Sequence, residues 1–165
     1  MSEKTERAKQ YHAQGYGCAQ AVLAAFAPDF GLSEEVALKL STGFGSGMGR
    51  MCEMCGALTG AYMVIGLKYG KVKTAGTKYG IYTETTYKLV SEIAQRFAER
   101  NGTTQCRDLI EHDLSNPEQR AETVKLGYFN TRCGKYILDS IELLEEMLGK
   151  DNIAILENST SGQKG

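Results

Sequence analysis

Thiols are the groups of this chain best equipped for chemistry. The 165-residue sequence has five: Cys18, Cys52, Cys55, Cys106 and Cys133. Four of them stand at helix-start signals. Cys18 follows Gly17, Cys55 opens a glycine-spaced helix, Cys106 follows Thr103-Thr104, and Cys133 follows Asn130-Thr131. Gly, Thr and Asn are residues that cap helix N-termini. A helix N-terminus carries roughly half a positive charge and several unpaired N–H groups, and both lower a thiol's pKa. If the four starts converge, Cys18, Cys55, Cys106 and Cys133 form one shared site that favours anionic sulfur. Such sulfur coordinates a soft metal or attacks a disulfide. The plainer alternative is inert packing, because a free Cys behaves as a small hydrophobe.

The other motifs are weaker. Cys52 and Cys55 form a C-x-x-C pair, but the βαβ setting of a thioredoxin-type site is missing. A c-type haem site needs His directly after the second Cys, where Gly56 stands. A zinc ribbon needs a second close pair. Cys52 therefore reads as a bystander. The loop Gly43-Phe44-Gly45-Ser46-Gly47-Met48-Gly49 fails the G-x-G-x-x-G pattern, because Met48 and Arg50 occupy the third-glycine positions, and no G-K-[ST] follows. Its N–H groups could bond sulfur or a small anion, but it reads first as a tight connection where side chains would clash. His12 and His112 sit in no ligand array and read as solvated. Asp108 and Glu111 read as a solvated face. Arg50, Arg107 and Arg132 flank cysteines, where they could help hold anionic charge. The nine tyrosines read as packing.

The elements that must position these thiols are helices. Helical signals cover Glu3 to Phe26, broken at Gly15-Tyr16-Gly17, with Cys18 to Phe26 ended by Pro28 and Gly31. Ser33 caps Glu34 to Leu40. Met54 to Tyr69 carries Gly56 and Gly60 on one face, so it predicts a central helix in close contact with a neighbour. Leu89, Ile93 and Phe97, extended by Tyr82 and Thr86, predict an amphipathic helix from about Tyr82 to Arg100, where Glu92 and Arg96 can pair. Shorter helices follow over Gln105 to His112 and Pro117 to Leu126. The last, Arg132 to Leu148, shows Ile137, Ile141, Leu144 and Leu148 on one face. The expected fold is all-α: an irregular multi-helix single domain over residues 1–156, with a flexible tail over 157–165.

Bulk properties narrow the function. The chain is 42% hydrophobic and 24% charged, with a net charge of -1, so no nucleic-acid footprint is expected. The apolar stretch from Met54 to Leu67 is too short and glycine-rich to insert in a membrane. The charged start MSEKTERAKQ lacks the apolar core of a signal peptide, which points to the cytoplasm. Thiols stay reduced there, so structural disulfides are not expected.

Two segments carry a family resemblance. Gly17-Cys18-Ala19-Gln20-Ala21-Val22 looks like a first conserved block, and Cys55-Gly56-Ala57-Leu58-Thr59-Gly60 fits C-G-A-x-x-G. With the later single cysteines Cys106 and Cys133, the chain resembles the C_GCAxxG_C_C family, whose members are described as redox-active. The resemblance runs from about Ala8 to Leu148. It implies a four-cysteine site at Cys18, Cys55, Cys106 and Cys133, with Cys52 outside the set. A related helical module occurs in split-Soret cytochrome c, where an iron–sulfur centre accompanies the haems. This chain has no C-x-x-C-H, so the haem half does not transfer. The leading expectation is a redox protein binding an iron–sulfur cluster, or another thiolate-ligated metal such as zinc, for electron transfer to a partner the residues do not name. The alternatives are a metal-free thiol–disulfide protein and a helical interaction module with inert cysteines.

Overall fold

The computed structural model describes residues 1–74, 76 and 78–149. Helices account for its regular structure, and their ends follow local chemistry. Helix α1 (Glu3–Ala13) starts at Ser2, whose hydroxyl accepts from the Thr5 N–H. Helix α2 (Cys18–Phe26) starts at Gly17, whose N–H donates to Gln20 Oε1 at 2.9 Å. A 3-10 turn over Ala27–Phe30 ends on Gly31 in the left-handed region. Ser33 caps α3 (Glu34–Ser41) by accepting from the Val36 N–H. Helix α4 is Gly56–Tyr69, and α5 is Ile81–Asn101, closed by Gly102 at φ 86°. The short α6 (Cys106–Ile110) stops where Glu111 turns left-handed at φ 61°. Asn116 caps α7 (Pro117–Lys125). A π-turn over Phe129–Cys133 then runs without a break into α8 (Gly134–Leu148).

Helix α4 is the centre of the fold, and its glycines explain why. A Cβ on Gly60 would lie 2.8 Å from the Ala19 carbonyl oxygen and 3.0 Å from Val22 Cβ. Only a missing side chain lets α2 come this near. Ala57, Leu58, Ala61, Val64 and Ile65 are all fully buried along α4. Helices α5 and α8 close the core with Leu89, Ile93, Phe97, Ile137, Ile141 and Leu144. The Glu92–Arg96 pair forms at 2.6 Å on the outer face of α5.

The stripe on α5 differs from the sequence reading. It continues toward the N-terminus through buried Thr85, while Tyr82 is 51% exposed. Tyr82 shares the Leu89 face by its sevenfold spacing but stands in the first turn of α5 and is exposed, and Thr86 is only half-buried. Tyr79 and Tyr87 are also exposed, so packing does not explain every tyrosine. The expected boundary at 156 and the tail over 157–165 lie outside the described residues. Among the described residues no strand forms, and Met54 and Gln105 make an isolated antiparallel bridge.

Candidate functional site

Cys18, Cys55, Cys106 and Cys133 all line one cavity of about 290 Å³. Four elements bring them there. Cys18 is the first residue of α2, Cys55 is the N-cap of α4, and Cys106 is the first residue of α6. The bridge sets Cys55 beside Cys106: the Cys55 N–H donates to the Thr104 carbonyl at 2.9 Å, and the Cys106 N–H to the Glu53 carbonyl at 2.7 Å. Cys133 departs from expectation. It ends the π-turn and continues into α8, so it does not open a free helix terminus. Apolar walls from Leu109, Ile110, Leu114 and Phe129 complete the cavity.

At Cys18, Cys55 and Cys106 the expected lowering of thiol pKa is reversed. Cys18 is held well above the ordinary value, first by its contact with the Cys133 thiol and then by burial. Burial pushes Cys55 up to about 12. Cys106 is raised by burial first, then by the neighbouring thiols of Cys55, Cys52 and Cys18. The helix-start effect does act on Cys55, where the Ala57 and Leu58 N–H groups pull downward, but it is the smaller force. Desolvation disfavours a charged sulfur at these three positions, whereas a helix terminus acts only over its first turn.

Residues 46–49 form a left-handed turn against this cavity. Ser46, Gly47, Met48 and Gly49 have φ of 56°, 65°, 67° and 64°. Each non-glycine residue in that region costs about 1–2 kcal/mol, so packing must hold the turn. The clash expected of the loop occurs at Gly47, whose added Cβ would meet Cys52 Cα at 2.6 Å and Cys106 Cβ at 2.7 Å. Gly43 and Gly45 have open space instead. Cys52, the thiol read as a bystander, packs beside the four-cysteine set. It is buried next to Cys106, and its sulfur accepts the Leu114 N–H at 3.1 Å, although it does not line the cavity.

The C_GCAxxG_C_C profile, described as "Putative redox-active protein (C_GCAxxG_C_C)", matches residues 16–147. The chain belongs to this family. No curated protein and no solved structure matches it. The match covers the four cavity cysteines of this C_GCAxxG_C_C protein, together with Cys52. No helix among its described residues is long and apolar enough to cross a membrane.

His12 lies before the matched segment yet lines the same cavity. Its Nε2 bonds the Phe129 carbonyl at 2.9 Å, while Nδ1 is buried with no partner. Because a carbonyl can only accept, Nε2 is the donor in this bond. The sequence reading of His12 as solvated therefore fails; nothing local in the sequence marks it, since its partner is 117 residues away. Tyr16 and Tyr136 also line the cavity, another role missed for the tyrosines. Among the described residues, the flanking arginines are absent from the cavity wall. Arg107 pairs with Asp113 at 3.2 Å, Arg132 pairs with Glu111 at 2.6 Å, and Arg50 is exposed. His112 bonds the Ile110 carbonyl outside the cavity. Among the described residues, no group of three or more His, Cys, Asp or Glu side chains is set to hold a metal ion.

Proposed function

We propose that this protein is a redox carrier that holds an iron–sulfur cluster on Cys18, Cys55, Cys106 and Cys133. The observation that carries the reading is their convergence on one apolar cavity from four separate elements. Four soft sulfur donors suit iron–sulfur chemistry. The spacing disfavours a lone zinc ion, which needs its sulfurs within about 4 Å of one another. A cluster distributes its ligands over several irons and does not need that convergence. A bound cluster would supply one-electron transfer.

The chain's own residues supply the rest. Burial makes free thiolates costly here, so the cavity accepts anionic sulfur only together with a cation. Leu109, Ile110 and Leu114 keep water from the sulfurs. His12 fixes the π-turn that carries Cys133 through its bond to Phe129.

A second reading has its own support. Cys52, Cys106 and Cys133 share one buried cluster with Cys18 packed against it, which suits metal-free thiol–disulfide exchange. Protein made with ample iron and without oxygen separates the two. The cluster reading expects colour, iron and acid-labile sulfide, each lost in Cys18→Ser, Cys55→Ser, Cys106→Ser and Cys133→Ser. Colourless protein that cycles between reduced dithiol and two-electron-oxidised disulfide forms would replace it with the exchange reading. Folded protein with no metal and unreactive thiols would leave a helical module with inert cysteines.

A further inference from the structure

Cys52 belongs to neither the cavity wall nor the four-cysteine set, yet the chain places it with unusual care. One point in space, the position a Gly47 Cβ would take, lies 2.6 Å from Cys52 Cα and 2.7 Å from Cys106 Cβ. That holds the two Cα atoms no more than about 6.8 Å apart, the upper limit of the range that a disulfide spans. Two backbone bonds fasten the segments together: the Arg107 N–H to the Cys52 carbonyl at 3.1 Å, and the Cys106 N–H to the Glu53 carbonyl at 2.7 Å. The Leu114 N–H donates to Cys52 Sγ at 3.1 Å. Cys52 also occupies the left-handed region, at φ 58°, a conformation that L residues adopt only when their surroundings hold them there. No comparable backbone hydrogen bonds join Cys18 to Cys133.

We propose that Cys52 and Cys106 form a reversible dithiol–disulfide couple whose state decides whether Cys106 is free to serve the cavity. The oxidant is a peroxide small enough to enter the cavity. Cys106 Sγ attacks one peroxide oxygen, the O–O bond breaks, and the thiol proton leaves with the departing hydroxide as water. Cys52 Sγ then attacks the Cys106 sulfenic sulfur. The S–S bond forms, the S–O bond breaks, and the hydroxyl leaves with the Cys52 proton as a second water. Two thiols lose two electrons and two protons, and hydrogen peroxide becomes two waters. Two equivalents of a small thiol reverse the change by exchange. The consequence for metal loading rests on the cluster reading; the couple itself does not.

The test treats reduced, iron-free, full-length protein with hydrogen peroxide and maps disulfides by mass spectrometry under non-reducing conditions. A protease that cuts after Glu53 separates Cys52 from Cys55. The expected product is a Cys52–Cys106 cross-link that dithiothreitol removes and that is absent from Cys52→Ser and Cys52→Gly, the latter chosen because glycine suits the backbone there. A dominant Cys18–Cys133 or Cys52–Cys55 link, or no disulfide at all, would overturn the couple. A second measurement supplies ferrous iron and sulfide without oxygen. Cross-linked protein should take up at least several-fold less iron than reduced protein, and dithiothreitol should restore uptake. Equal uptake would overturn the control of Cys106. A cross-link in protein that never takes up iron would retain the couple and remove the cluster reading, whereas iron uptake without a cross-link would do the reverse.

Discussion

Gly47 is packed so tightly against Cys106 that a Cβ at position 47 would stand 2.7 Å from the Cys106 Cβ. The same Cβ would lie 2.7 Å from the Glu53 nitrogen, a backbone atom that cannot swing aside. The left-handed turn over 46–49 and the thiols behind it are thus one packed unit.

Gly47→Ala should therefore destabilise the protein by about 3 kcal/mol, combining overpacking with a left-handed backbone that alanine resists. Urea denaturation of reduced, metal-free protein measures this. A midpoint equal to wild type would show that the turn can shift away from Cys106 and Cys52.

The two interior glycines of α4 make opposite predictions. Gly60 faces α2, with the Ala19 carbonyl oxygen 2.8 Å from its would-be Cβ, so Gly60→Leu should cost about 3 kcal/mol or more. Gly66 has nothing within 4 Å of that position. Gly66→Ala should instead stabilise by about 0.5–1 kcal/mol, because alanine is the better helix former. Melting temperatures should move in opposite directions; a Gly60→Leu variant that melts at or above wild type would contradict the close α2–α4 contact.

His12 should matter through its Nε2 proton. His12→Phe removes the donor to the Phe129 carbonyl and should cost about 1–2 kcal/mol. His12→Gln, which can still donate, should recover part of the loss. Equal thermal stability of the two variants would mean that this bond does not anchor the π-turn.

Asp113 provides a pH test at the turn that carries Leu114 toward Cys52. Its carboxyl is held below the ordinary value, first by hydrogen bonds from Ser115 and then by Arg107. A depressed folded pKa means that the stabilisation is present above the unfolded value of about 3.9 and is lost as pH falls through the folded pKa. Carbon NMR of the carboxyl should show a midpoint below that of an unstructured peptide, raised by Ser115→Ala and by Arg107→Gln. A midpoint unmoved by either change would break the assignment.

Helix positions were legible in the sequence because capping and periodicity act within a few residues. Ser33, Asn116 and Gly102 end or begin helices for reasons found beside them in the chain. The importance of Gly60 was visible in the same way, as were the helix starts at Cys18, Cys55 and Cys106, whereas Cys133 lies inside a continuous helical run. Relations between distant segments were not. The bond from His12 to Phe129 and the approach of Cys52 to Cys106 depend on how helices pack, which no local pattern encodes. The thiol pKa shows the same division. The sequence determined that Cys55 would sit at a helix start, where N–H groups pull its pKa down. Tertiary structure decided the outcome, because only packing buries that sulfur, and desolvation outweighs the pull of one helix turn.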